Sequence, residues 1–261
     1  MEKKKSMIQV HQLSAWFGER QVLRDVSFTV YANEITVILG SSGCGKTTTL
    51  KHLIGLYPIH QGEVQVLDVP LHQATEREIN QLYKRIGVLF QNGALLNSIT
   101  VAENVAIPLE QHTHLPPSII EDLVHLKLSL VELPDAGDLL PSQLSGGMKK
   151  RAALARAIAL DPPLLFCDEP SAGLDPITMS ALDELILKLK HMLGMTIVLV
   201  THEVPSIFRL ADRIVFLDQG TVVFEGSLTA ALQSSIPAIQ EFFEKGRGEN
   251  QPAPPIHPSA S

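Results

Sequence analysis

The chain has 261 residues, of which 45% are hydrophobic, and its 21 Lys and Arg against 28 Asp and Glu leave a net charge of −7. That is enough to bury a core in one large domain or two small ones, and the acidic balance speaks against a protein that coats DNA or RNA. Two cysteines exclude a disulfide scaffold and fit a reducing compartment, while no apolar run approaches the roughly 20 residues of a membrane span, so a cytosolic protein is expected, held at any membrane by a partner.

Taken in chain order, Met1 to Ser6 carries charges with no apolar core after it and is not read as a secretory leader. Val22 to Val30 alternates apolar and polar residues, as a half-buried strand does. Glu34 to Leu39 is nearly all apolar and β-branched and ends at Gly40, which predicts a strand buried on both faces. Gly45 to Leu53 follows as a helix. Gly62 to Leu67 and Ile86 to Phe90 read as short strands, as do Leu164 to Cys167, Thr196 to Val200 and Ile214 to Leu217. Strand and helix alternate, so the fold class is α/β.

Residues 92–160 break this rhythm. The stretch is long, helical in pattern and interrupted at Pro108, Pro116, Pro117, Pro134 and Pro141, which predicts a helical insertion between two core strands. Thr178 to Leu193 places Leu182, Leu185, Ile186, Leu189 and Leu193 on one stripe with Lys188 and Lys190 off it, an amphipathic helix capped by Gly194. Gly246 to Ser261 holds Pro252, Pro254, Pro255 and Pro258 and is expected to be a mobile tail or an arm around a neighbouring subunit.

Gly40-Ser41-Ser42-Gly43-Cys44-Gly45-Lys46-Thr47 fits G-x-x-x-x-G-K-[ST], a loop whose glycines let backbone N–H groups turn inward around phosphates. The helix after it adds its positive dipole end. Lys46 is placed to reach the β- and γ-phosphates of a nucleotide and Thr47 to offer a hydroxyl to Mg²⁺. Asp168 and Glu169 end an apolar strand where parallel sheets hold ligands. There Asp168 would hold Mg²⁺ through water and Glu169 would be the general base. Ser145-Gly146-Gly147 before a helix at Lys149 to Leu160 is either an anion-binding turn or a capped turn. His202, after a strand, is either structural or faces the same cleft. Cys44 in the phosphate loop reads first as a small space-filling residue.

Together these residues resemble the ATPase subunit of an ABC transporter over residues 8–245. The resemblance implies a P-loop NTPase (RecA-like) core with an N-terminal antiparallel β subdomain and an inserted α-helical subdomain. It implies ATP and Mg²⁺ as ligands, with Gly40 through Thr48 around the phosphates and either Phe17 or its neighbour Trp16 stacking on adenine. Gln91 matches the Q-loop glutamine that touches Mg²⁺ and senses the permease. Ser145, Gly146 and Gly147 match the signature motif that acts in trans, Asp175 the D-loop, and His202 the switch histidine. Met148 stands where many members have Gln. It makes no strong side-chain hydrogen bond, but the backbone donors survive, so activity is expected to survive.

Phe90 to Leu96, Asn104-Val105-Ala106, His112-Thr113, Leu144 to Ala159 with Met148, Asp175 to Met179 and His202 to Pro205 are similar to the ATPases of Mla/MCE-type phospholipid transport systems. That similarity implies a homodimer on an integral, MlaE-like permease at the cytoplasmic face of the inner membrane, with MCE-domain and STAS-domain proteins as further partners and no nucleic acid. A motor for another small solute, such as an importer, is the alternative, and a non-transport ATPase acting on DNA or the ribosome ranks behind both. Gly93 to Pro108 either faces the permease or packs in the helical insertion.

Overall fold

The structure, a computed structural model, describes residues 4–247. Strands β1 (Ser6–Phe17) and β2 (Arg20–Tyr31) open the chain, and β3 (Ile35–Gly40) leads into helix α1 (Lys46–Leu53). β4 (Gln61–Val66), β5 (Val69–Pro70), α2 (Glu76–Tyr83) and β6 (Ile86–Leu89) follow. Three helices, α3 (Val101–His112), α4 (Pro117–Leu130) and α5 (Gly146–Ala157), then separate β6 from β7 (Leu164–Asp168). The chain continues through α6 (Pro176–Leu193), β8 (Thr196–Val200), α7 (Val204–Leu210), β9 (Arg213–Asp218), β10 (Thr221–Ser227), α8 (Leu228–Leu232) and α9 (Pro237–Arg247).

The strands make two sheets. One is antiparallel in the order β2-β1-β4-β5, and the other runs β10-β9-β3-β8-β7-β6. In the second, β6, β7, β8, β3 and β9 are parallel and β10 closes one edge antiparallel. The α/β expectation is borne out.

Alternation along each strand explains why the parallel strands read as unbroken apolar runs. Leu165, Cys167, Ile197 and Leu199 face a core shared with α3 to α7 and α9. Leu164, Phe166, Val198 and Val200 face the opposite way, into a core shared with α1 and the antiparallel sheet. Every residue of β3, β7 and β8 is buried, so any polar group at the ends of these strands is held on a rigid base.

Some local expectations change. Pro108 does not interrupt the insertion but lies inside α3. Val101, Val105 and Leu109 pack that helix into the core, which offsets the one hydrogen bond a proline removes. Lys190 is not off the buried stripe of α6: it is 9% exposed, with its Nζ 2.7 Å from Asp212 Oδ2. The expected tail begins later, since α9 runs through Gly246 to Arg247, and its remainder lies outside the described residues. Gly194 does cap α6, at φ 62°.

Candidate functional site: the carboxyl ends of the parallel strands

The strand order brings four of the chemistry-bearing segments to one edge. The P-loop follows β3, Gln91 follows β6, Asp168 ends β7 with Glu169 next, and His202 follows β8. β3, β8, β7 and β6 are neighbours, so these segments line one crevice at the carboxyl end of the sheet.

The P-loop takes its shape from close approach. At Gly40, φ is 144°, and a Cβ there would sit 2.0 Å from the Leu217 carbonyl oxygen and 2.6 Å from Cys44 Sγ. Only glycine lets the strand turn at that point. Lys46 folds back over the loop, donating from Nζ to the carbonyls of Gly40 at 2.9 Å and Ser41 at 3.0 Å. Ser41, Ser42, Gly43, Thr47 and the outer turn are exposed. A cleft of about 700 Å³ opens at Ser41, Ser42 and Gly43, lined also by Arg20, Gln21, Arg24, Gln219 and Gly220. Cys44 is buried, and that burial pushes its thiol up despite the nearby Lys46, which makes it a poor nucleophile. Burial likewise pushes Cys167 up to about 12.

Phe17 and Trp16 end β1, both substantially exposed. They point to opposite faces of the strand. Phe17 meets Tyr57 edge-on at 5.7 Å, and Tyr57 OH accepts from Lys51 Nζ of α1 at 3.3 Å. Phe17 therefore shares the face that continues from the phosphate-loop helix.

Asp168 is 8% exposed, and its Oδ1 has no hydrogen-bond partner. Burial pushes its carboxyl above the usual range and Glu169 adds to this, while Lys51, the Thr47 hydroxyl and Lys46 pull it back. Glu169 adopts φ 47°, the left-handed region, held there by its N–H donating to the Val200 carbonyl at 2.8 Å. Strain of this kind is kept where the surroundings fix it. Glu169 Oε1 lies 2.9 Å from His202 Nδ1, and its buried Oε2 is unpartnered.

A metal at this crevice would not be caged by protein, because among the described residues no three His, Cys, Asp or Glu side chains are arranged to hold a metal ion. The Thr47 hydroxyl beside the orphaned Asp168 oxygen is the hard-oxygen, few-ligand donor set that suits Mg²⁺ shared with phosphates.

The signature turn stands apart. Ser145 caps α5, its Oγ accepting from Met148 N–H at 3.2 Å. A Cβ on Gly147 would meet Thr178 Cγ2 at 2.6 Å, and one on Gly146 would meet Leu174 Cδ2 at 3.6 Å. The turn therefore lies against the segment that starts α6. Asp175 caps α6 through Ile177 and Thr178 N–H, both at 3.1 Å. Its bond with the Thr178 hydroxyl holds its carboxyl below the usual range.

A family model described as "ABC transporter" matches residues 23–172. The chain belongs to the ABC transporter family. It is an ABC-type ATPase, and its relatives span nearly all of it. It is 40% identical over 239 residues to an intermembrane phospholipid transport system ATP-binding protein, MlaF, of Haemophilus influenzae, covering 92% of this chain and 90% of that one. It is 37% identical to a probable ribonucleotide transport ATP-binding protein, mkl, of Mycobacterium tuberculosis, over 92% of this chain and 67% of that one. Among solved structures, a dimeric ATP-binding cassette in a post-hydrolysis state with ADP and Pi superposes with TM-score 0.77 at 30% identity, over 85% of this chain and 99% of that one.

Three residues of this ABC ATPase gave no signal in the sequence. Lys150 and Arg156 on α5 both turn inward to main-chain carbonyls near Gln91. Asp183 on α6 is fully buried and accepts from Ser206 Oγ at 2.8 Å and Arg209 Nη1 at 3.1 Å, both on α7. Since α7 starts two residues after His202, this tie fixes the segment that carries the histidine. Asp183→Ala removes an ionic and a neutral hydrogen bond and is expected to lower unfolding stability by about 2–3 kcal/mol, read as a lower urea midpoint at unchanged slope.

Proposed function

We propose that this ATPase is the motor of a transporter that moves phospholipid between membranes, working as a homodimer on an integral membrane permease at the cytoplasmic face of the inner membrane. The observation that carries the reading is the 40% identity to a phospholipid transport ATPase over nine-tenths of both chains.

In this reading ATP lies along the crevice. Phe17, rather than Trp16, stacks on adenine, because it lies on the side of α1. The loop from Gly40 to Thr48 cradles the phosphates, and Lys46 exchanges its two carbonyl partners for phosphate oxygens. Thr47, Gln91 and, through water, Asp168 would hold Mg²⁺, which would supply positive charge against the phosphates. Glu169 accepts a proton from the attacking water, and His202 orients it at 2.9 Å. His202, 59% exposed, has its other ring nitrogen near Glu203 and is free to turn toward the γ-phosphate.

Gly146 and Gly147 lie against Leu174 and Thr178 at the start of α6, and Ser145 caps their own helix. A head-to-tail second copy brings them onto the other chain's ATP with Asp175 beside the junction, and the dimeric relative supports such pairing. In this reading the permease contact lies at α3, where a groove of about 720 Å³ between α3 and α4 is lined by Glu103, Glu110, Glu121, Asp135 and Asp138 with no Lys or Arg. A basic cytoplasmic segment of the permease matches that charge.

The test is to purify the chain from solubilised membranes of its own cells and identify what accompanies it by mass spectrometry. A permease with an MCE-domain protein, a STAS-domain protein and bound phospholipid is the expected result. A permease with a soluble binding protein and no lipid moves the substrate to a small solute. That second reading is favoured by the relative named for ribonucleotide transport.

A further inference from the structure

Helix α5 carries two cations that a surface helix would normally leave in solvent. Lys150 is 8% exposed. Its Nζ donates to the main-chain carbonyl of Gln91 and, at 3.4 Å, to that of Glu169. Six residues on, Arg156 donates from Nη1 to the Ala94 carbonyl at 2.7 Å and from Nη2 to the Gly93 carbonyl at 2.8 Å. One rigid helix therefore grips both ends of the segment 91–94 and the backbone of the residue that bears the catalytic carboxylate.

A buried ammonium is costly unless its protons are satisfied and opposite charge is near. Two carbonyls satisfy Lys150, and Glu169 and Asp168 favour its charge against the desolvation that pulls its pKa down. The second tie matters because of what it holds. Glu169 sits at φ 47° with its N–H fixed by the Val200 carbonyl, and its own carbonyl accepts from Ala172 N–H at 3.2 Å as well as from Lys150. The left-handed backbone sets the direction of the carboxylate, and Lys150 is the only side chain among the described hydrogen bonds that joins this backbone to Gln91.

We propose that Lys150 is a positioning residue for hydrolysis, which locks the main chains of Gln91 and Glu169 to α5 so that a displacement of the Q-loop moves the catalytic carboxylate. Arg156 completes the clamp by making the segment 91–94 follow the same helix. The N-terminus of α5 carries Ser145, Gly146 and Gly147, so the helix that closes on one ATP also holds the hydrolytic groups of the other. This inference rests on the ATPase reading of the crevice.

The test compares wild type, Lys150→Gln and Lys150→Arg as full chains in steady-state ATP hydrolysis, with affinity read separately by a fluorescent ATP analogue. Misplacing a reacting group by a fraction of an ångström is expected to lower kcat of Lys150→Gln about tenfold or more. KM and analogue affinity should stay within about twofold, because no phosphate contact is lost. Lys150→Arg keeps a cation that can reach both carbonyls and should recover most of kcat.

A wild-type kcat in Lys150→Gln overturns the inference, as does a kcat loss matched by lost affinity, or an arginine variant as impaired as the glutamine one. Arg156→Gln serves where Lys150→Gln does not fold. It frees Gly93 and Ala94 without touching Glu169, and a lowered kcat at unchanged affinity is again expected, an unchanged kcat overturning the coupling. If wild type itself fails to hydrolyse ATP, the ATPase reading falls and this inference with it. If wild type and Lys150→Gln hydrolyse alike, only this inference falls.

Discussion

Glu169→Gln is expected to bind ATP with wild-type affinity and to lose about 10² to 10⁴ in turnover, the usual contribution of a positioned general base. The substitution keeps the volume and the hydrogen-bonding length of the side chain. It removes the charge and the lone pair that takes the proton of water. The affinity is expected to stay because the groups proposed to hold phosphate, Lys46 and the loop amides, lie between β3 and the start of α1, away from the end of β7. Glu169 also has a buried, unpartnered Oε2, while its Oε1 lies 2.9 Å from His202 Nδ1. Phosphate release under saturating ATP measures the loss, and equilibrium binding of ATP without turnover measures the affinity. Turnover within a few-fold of wild type would sink the assignment of the base. Loss of binding along with turnover would instead place Glu169 among the phosphate contacts.

How far the residues themselves announced this site depends on whether a function is local in sequence. The P-loop is legible because eight consecutive residues build it and the glycine requirement is steric, as the 2.0 Å approach at Gly40 shows. Asp168 and Glu169 are legible because an apolar strand ends on them. Lys150 and Arg156 are not, since their partners in the segment 91–94 lie 59 to 63 residues away and a cation within a helix normally faces water. The same rule hid Lys190, whose long stem lies in the core while its ammonium pairs with Asp212.

In the fold, β1 carries no clear strand signal because its alternation is broken. Register shifts fall between Val10 and Leu13 and between Leu13 and Ala15, and Gln12 has φ 50°, so the period of two slips along the strand. β10 lacks a signal for a different reason. It is an edge strand with no fully buried residue, so no apolar face marks it. The helical insertion was legible as a change of rhythm, but Pro108 misled. A proline in a helix weighs less when the turns around it are buried, as Val105 and Leu109 are.

The largest contrast is expected from pairing two defects in mixed dimers. Lys46→Ala removes the phosphate cation, and Gly147→Val puts side-chain atoms where a Cβ alone already stands 2.6 Å from Thr178. In a head-to-tail dimer each ATP is held by the P-loop of one chain and the signature turn of the other. A dimer with Lys46→Ala in one chain and Gly147→Val in its partner then collects both defects in one site and leaves the second site whole. A dimer with both substitutions in one chain and none in the other spoils both sites. The first should retain hydrolysis and the second should lose about 10² or more of it, since phosphoryl transfer without half its charge-stabilising donors is slow. If each chain instead completed its own site, the order would reverse, because the unmodified chain would still work alone. The comparison needs only covalently linked or differentially tagged pairs and one phosphate-release assay. Its sign decides the architecture independently of absolute rates: greater activity in the doubly substituted chain paired with wild type would refute the shared site, and with it the role given to Ser145, Gly146 and Gly147 in trans.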